Sequence, residues 1–304
     1  MVFQPVRGCL TLFPMAGLVA GGLYFNRGQQ FAAHADASAP AGALDPNNFK
    51  EFKLVKKDQL THNTYFFRVE LPNNQVSGLF TASCVVLKTM IKEKPEDELP
   101  KPVVRPYTPI SAPDAKGYID FVIKVYPTGK MGNYIKSLNI GDNIEIKGPI
   151  PKYPYQPNIK KRIGMVAGGT GIAPMLQVID AILTNPGDKT EISLVYGNVS
   201  ESDILLKARL DELAAKHPNQ FKLYYVVDKA SWGGFTWKGG VGYISKDMLK
   251  EKLPPPSADN LVMVCGPPGL MAAISGGKAP DFSQGEVSGL LKDLGYNKDM
   301  VYKF

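Results

Sequence analysis

The sequence predicts two consecutive halves: an antiparallel β-barrel, then a doubly wound, mostly parallel α/β sheet. Two observations carry this. From Phe49 to about Pro151, apolar residues recur with period two in short runs separated by turn residues. Strands of that kind bury one face each and close into antiparallel barrels. From about Ile159, short apolar runs alternate with stretches of helical spacing. Strands linked by helices form a parallel sheet, which takes its ligands at the carboxyl ends of the strands.

Before the first half, the N-terminal residues stand apart. No acidic residue precedes Asp36, and the stretch from Gly8 to Asn26 is uncharged between Arg7 and Arg27. A membrane-spanning helix needs about 20 apolar residues, a length this stretch just reaches. Pro14, Gly17, Gly21 and Gly22 weaken such a helix, whereas Tyr24 and Phe25 beside Arg27 suit a membrane interface. Acid-poor, Arg-bearing N-termini also mark mitochondrial presequences, and a secretory signal is a further reading. The expectation is a membrane anchor with targeting function over 1–27 and a linker over 28–46, rich in Ala, Ser, Gly and Pro. The barrel is expected over 47–157 and the α/β half over 158–304.

In the barrel half, Thr64 to Leu71 and Ser83 to Met90 read as strands. Tyr118 to Tyr126 alternates most regularly. Ile119, Phe121, Ile123 and Val125 form a core face, leaving Tyr118, Asp120, Val122, Lys124 and Tyr126 for solvent or ligand. Turns fall at Pro72-Asn73-Asn74, Pro113-Asp114 and Gly141-Asp142, and one helix at about Gly132 to Leu138. The second half reads as strand Ile163–Ala167, helix Ile172–Leu183, strand Glu191–Tyr196, helix Asp203–Lys216 and strand Phe221–Val227. Helix Ser245–Lys252, strand Leu261–Val264, helices Pro268–Ile274 and Gly285–Leu294, and an edge strand Met300–Phe304 follow.

Composition narrows the function. With 44% hydrophobic and 21% charged residues the chain is globular, neither disordered nor fibrous. Three Cys (Cys9, Cys84, Cys265) lack paired spacing, and three His (His34, His62, His217) lie far apart. No disulfide framework and no metal site is expected. The net charge of +7 lies in the body, because Arg7, Arg27, Asp36 and Asp45 cancel in the first 45 residues. The surplus is mostly scattered Lys, so no nucleic-acid interface is expected. A solvated surface, an acidic partner or an anionic substrate remains.

Four motifs carry chemistry. Gly168-Gly169-Thr170-Gly171 joins a strand to a helix, where small residues and free N–H groups admit a phosphate. Taken alone it reads equally as a tight turn. Gly129-Lys130-Met131-Gly132 opens the barrel helix and suits a pyrophosphate, or is an ordinary loop. In Arg105-Pro106-Tyr107-Thr108-Pro109-Ile110-Ser111 an Arg can pair with phosphate, Tyr can lie on a ring and Thr can hydrogen-bond a heterocycle. Cys265-Gly266-Pro267-Pro268 ends an apolar strand, and alone is a buried Cys before a turn.

In this order and spacing, RPYT, GKM, GGTGIAP and CGPP resemble the ferredoxin-reductase-like flavoenzymes, and within them the NADH–cytochrome b5 reductase family, over residues 49–304. With the N-terminal segment, the likeness is nearest the fungal mitochondrial form. The resemblance implies a six-stranded FAD-binding barrel, a Rossmann-like NADH-binding domain, and electron transfer from NADH through FAD to cytochrome b5 or a similar acidic haem protein. It also implies attachment to the mitochondrial outer membrane, with the endoplasmic reticulum as the alternative. Arg105 would hold the FAD pyrophosphate, with Pro106 shaping the backbone. Tyr107 would lie against the flavin and Thr108 would face its N5. Val122, Lys124 and Tyr126 would contact FAD, and Gly129, Lys130, Met131 and Gly132 its phosphates. Gly132 stands where many relatives have Ser, and Ala173 where Thr is common. Gly168, Gly169, Thr170 and Gly171 would sit between the two cofactors, with Cys265, Gly266 and Pro267 bordering the nicotinamide. Asp203 would meet the adenosine ribose and disfavour NADPH, or merely cap its helix. His62 would support Thr108 through hydrogen bonds, and Phe304 would lie near the flavin.

Overall fold

The computed structural model describes residues 42–92, 98–230 and 237–304. The expected anchor at 1–27 and most of the expected linker lie outside the described residues. Among those described, no helix is long and apolar enough to cross a membrane.

Six strands form the first sheet: β1 (Lys50–Thr61), β2 (Thr64–Glu70), β3 (Ser83–Ile91), β4 (Lys101–Tyr107), β5 (Tyr118–Lys124) and β6 (Asn143–Pro151). All pair antiparallel, in the order β4-β3-β6-β1-β2-β5. β1 serves two neighbours. Lys50–Lys53 pairs with β6 and Leu54–Thr61 with β2, the latter through register shifts after Leu54 and Gln59. Such irregularities bend a strand and let a sheet curl. The outer strands meet where the Ile110 N–H, just past β4, donates to the Asp120 carbonyl of β5 at 2.9 Å. Phe52, Leu54, Phe67, Leu87, Ile119, Phe121 and Ile146 fill the interior. Helix α1 (Lys130–Ser137) adds Met131 and Ile135 from its apolar side.

The upstream end of the barrel corrects the expected linker. Ala43 and Leu44 are buried in the barrel core, and their N–H groups donate to Val76 and Ser77 carbonyls at 2.9 and 3.1 Å. Two apolar residues in an otherwise small-residue stretch suffice to dock it. The open face expected on β5 is closed in part. Asp120 is buried and held by Arg68 at 2.6 and 2.8 Å. Val122 is buried among α/β-half residues. Val122, Lys124 and Tyr126 on the same face still line open space, as the alternation leaves them, and the cover over Asp120 is a side chain of the neighbouring strand that period two does not register.

The second sheet is parallel, in the order β10-β9-β8-β7-β11-β12. Its strands are β7 (Arg162–Gly168), β8 (Glu191–Asn198), β9 (Phe221–Val227), β10 (Gly240–Val241), β11 (Asn260–Cys265) and β12 (Val301–Lys303). β7 and β11 are buried on both faces. Ile163, Met165, Leu261 and Met263 join one core, Val166, Val262 and Val264 the other. Helix α2 (Ile172–Thr184) covers the first face with Met175, Leu176 and Ile179. Helices α4 (Lys246–Lys252), α5 (Pro268–Ile274) and α6 (Gly289–Asp293) supply Leu249, Met271 and Leu291 to the second.

Two helix boundaries move. The helix expected at Asp203–Lys216 is a 3₁₀ turn over Glu201–Asp203, then α3 (Lys207–Lys216). Ile204 and Leu205 are drawn into the core, and Leu206 takes a left-handed φ of 58° to restart the chain. The helix expected at Gly285–Leu294 begins only at Gly289, since Val287 is buried and the Ser288 N–H is taken by the Ser275 carbonyl.

Candidate functional site

β8, β9 and β10 extend from one side of β7, β11 and β12 from the other. Connections therefore leave the adjacent ends of β7 and β11 in opposite directions, which opens a crevice at their carboxyl ends. Here the crevice widens against the barrel into a cleft of about 1060 Å³. One small-molecule pocket usually holds roughly 300–1,000 Å³, so this cleft is large enough for an extended ligand or two.

Its floor is the turn from β7 into α2. A Cβ on Gly171 would lie 2.1 Å from the Cys265 carbonyl oxygen, so only glycine lets the two strand ends approach. Gly169 has a φ of 52° and open space beside it, and its carbonyl accepts the Tyr196 hydroxyl at 2.8 Å. No side chain caps α1 or α2, whose first-turn N–H groups sit beside cleft-lining glycines. Uncapped helix N-termini attract anions.

The structure brings together nearly every residue singled out from sequence. Arg105, Pro106, Tyr107 and Thr108, Val122, Lys124 and Tyr126, and Gly129, Lys130, Met131 and Gly132 line the barrel side. Gly168, Gly169, Thr170, Gly171, Asp203, Cys265, Gly266 and Pro267 line the α/β side. A Cβ on Gly132 would come no closer than 3.4 Å, to the Val125 Cα, so a serine would fit there. Burial pushes the Tyr107 phenol up to about 12, against the pull of Arg105, and pushes the Cys265 thiol up to about 12. Both stay protonated at neutral pH. Arg105 is exposed and bonds the carbonyl of its neighbour Val104.

His62 is a correction. It lies in the β1–β2 turn, exposed and outside the cleft lining, with Nδ1 3.5 Å from the Asp203 carboxylate. A hairpin tip projects away from its sheet, and local sequence does not show which residues such a tip meets. Asp203 accepts the Ser200 hydroxyl at 2.6 Å and caps no helix, since the α3 cap is Leu206. Phe304 is partly buried at the end of β12, its ring 5.1 Å from that of Tyr302, and does not line the cleft.

Asp228 and Tyr243, which sequence reasoning passed over, also line the cleft, as does Asn198, to which it gave no individual role. Asn198 is buried and its Nδ2 has no hydrogen-bond partner. A polar residue ending an apolar strand is the signal that could have found it. An unpaired buried amide costs roughly 1–3 kcal/mol unless a ligand satisfies it. This orphan donor, the uncapped helix starts and the cations Arg105, Lys124 and Lys130 suit phosphate groups, while the carboxylates of Asp203 and Asp228 suit sugar hydroxyls.

The site and the paired sheets define a flavin- and nicotinamide-binding oxidoreductase. Residues 51–155 match the oxidoreductase FAD-binding domain family and residues 165–276 the oxidoreductase NAD-binding domain family. An NADH-cytochrome b5 reductase-like protein of Arabidopsis thaliana is 55% identical, over 88% of this chain and 80% of its own length. NADH-cytochrome b5 reductase 2 of Aspergillus clavatus is 49% identical over 99% and 92%. The crystal structure of the cytochrome b5 reductase domain of Ulva prolifera nitrate reductase superimposes with a TM-score of 0.74 at 33% identity, over 87% of this chain and 100% of that one. The chain belongs to the NADH–cytochrome b5 reductase family.

Proposed function

We infer that this protein oxidises NADH and passes the electrons, through FAD, one at a time to cytochrome b5. The observation that carries this reading is the single cleft between a flavin-type barrel and a nicotinamide-type sheet, with both sets of motif residues on its walls. The flavin, when bound, supplies the conversion of a two-electron donor into single electrons.

The protein's task is to bind and orient. Arg105 pairs with the pyrophosphate, and the N–H groups of the Gly129–Gly132 turn receive its remaining charge. Tyr107 packs against the flavin side, and the Thr108 hydroxyl faces the reacting ring. Gly168, Gly169, Thr170 and Gly171 admit the nucleotide backbone. Cys265, a neutral thiol, shapes the nicotinamide end and is not a nucleophile. Asp203 faces the adenosine ribose. The scattered Lys surplus steers an acidic haem protein toward the surface.

Residues 1–27 anchor the enzyme in the mitochondrial outer membrane in this reading, supported by an acid-free, uncharged run between Arg7 and Arg27. A green-fluorescent fusion to 1–46 tests it, and diffuse fluorescence would refute it. For the activity, the purified protein should show flavin absorbance that bleaches with NADH and recovers with oxidised cytochrome b5. A colourless protein, inactive with added FAD, would overturn the assignment.

A further inference from the structure

Thr108 opens the segment after β4, and the next two carbonyls are both held by the other half of the molecule. Gln177 on α2 donates from Nε2 to the Pro109 carbonyl at 3.0 Å, while its Oε1 accepts the Ser83 N–H at 3.2 Å. Arg209 on α3 donates from Nη1 to the Ile110 carbonyl at 3.3 Å, and its Nη2 is fixed by Asp180 at 2.6 Å. Asp180 stands three residues beyond Gln177 on α2, hence on the same helix face. The Ile110 N–H is bound to β5 and its side chain is buried among α2 residues.

The same helix begins at the Gly168–Gly171 turn, about 7.5 Å along the axis from Gln177. One rigid element thus grips both walls of the cleft. We propose that Gln177 is a positioning residue that sets the gap between the Thr108 wall and the nicotinamide wall, with the Arg209–Asp180 pair as its support. This rests on the reading above that NADH reduces the flavin, a step that moves a hydride between the two rings. A donor–acceptor gap governs that step steeply, and a misplacement of about 1 Å can lower a rate roughly a hundredfold. Electron exit from the reduced flavin needs no such contact distance.

The test uses the flavin-loaded protein with Gln177→Leu, which loses both bonds, and Gln177→Glu, which keeps an acceptor for Ser83 and sets an oxygen against the Pro109 carbonyl. Anaerobic stopped-flow bleaching by NADH should slow about ten- to a hundredfold in both variants, with flavin content retained. Oxidation of the dithionite-reduced protein by ferricyanide should keep its wild-type rate. Amide hydrogen exchange over residues 107–112 of the unreacted protein should quicken. Wild-type bleaching in either folded variant, even with a lowered melting temperature, overturns the proposal. Should the Leu variant fail to fold, the Glu variant decides. Parallel losses in bleaching and ferricyanide oxidation also overturn it, as they mean general damage. A wild-type flavin that NADH does not bleach overturns this proposal together with the reading beneath it.

Discussion

Arg105 places a guanidinium on the cleft wall at the end of an exposed run. A charge-assisted bond to a pyrophosphate contributes about 1.5–3 kcal/mol, so Arg105→Ala should weaken FAD retention roughly ten- to a hundredfold. The flavin-to-protein absorbance ratio after gel filtration checks this, and full occupancy would remove Arg105 from the phosphate site. Asp203 carries a second prediction. Its carboxylate lines the cleft, with no helix to cap. A 2′-phosphate there would meet like charge, so Asp203→Thr should raise the NADPH-to-NADH ratio of kcat/KM about tenfold or more. An unchanged ratio would leave Asp203 as a partner of Ser200 and His62 and no discriminator. Asp180 is the third. Burial lifts its carboxyl to about 6, outweighing the Arg209 charge that pulls it down. A carboxyl raised in the folded state binds protons more tightly there than in the unfolded chain. Its contribution is therefore fully present below about pH 4 and lost as pH rises through 6, by up to about 3 kcal/mol. The stability of wild type relative to Asp180→Asn, from urea unfolding, should fall between pH 4 and pH 6. A flat difference would mean the carboxyl titrates as in the open chain.

At the level of elements, strong local signals were legible in the sequence and imposed contacts were not. β9 and α5 appear as the sequence predicts, Phe221–Val227 and Pro268–Ile274, because each is a mostly apolar run bounded by Pro or polar residues. The Asp203–Lys216 helix lost its first four residues because Ile204 and Leu205 prefer the core to the helix surface. That preference depends on distant partners, which no local pattern encodes. The same reasoning governs the N-terminal edge. Lys50 donates to the Ala43 carbonyl at 3.1 Å, and Asp45 accepts the Asn47 and Asn48 N–H groups at 2.8 and 3.1 Å. A protein starting at Gly42 keeps this dock. One starting at Asn47 forfeits the burial of Leu44, about 1.5–3 kcal/mol, and should melt several degrees below it. Differential scanning calorimetry of the two truncations decides, and equal midpoints would make the Ala43–Leu44 dock incidental.

For the whole molecule, the family resemblance carried by RPYT, GKM, GGTGIAP and CGPP implied that these motifs meet around two cofactors, and each of them sits where a strand or helix begins or ends. What stayed hidden was the contribution of lone residues. Asn198, Asp228 and Tyr243 belong to no motif, and His62 reached Asp203 through a turn that brings the two sequence halves together. Net charge acts at this scale as well. The surplus of +7 is carried by scattered side chains, and ions screen such charges beyond about 8 Å at physiological ionic strength. Reduction of cytochrome b5 should slow as salt rises, while reduction of a neutral quinone should not. Equal salt profiles would exclude steering.

The seam between the sheets has an evolutionary consequence. Ala82, Ile110 and Val122 come from the barrel half but are buried in the core of the other half, beside α2. A recombination break in the stretch 152–161 would separate these side chains from the helix they were selected to fit. Exchange of whole halves between distant relatives therefore carries a packing penalty at three positions, however well each half folds. Gene fusion at either end leaves the seam intact, and the cytochrome b5 reductase domain of Ulva prolifera nitrate reductase, matched here over its full length, keeps both halves together. The heritable unit is the pair.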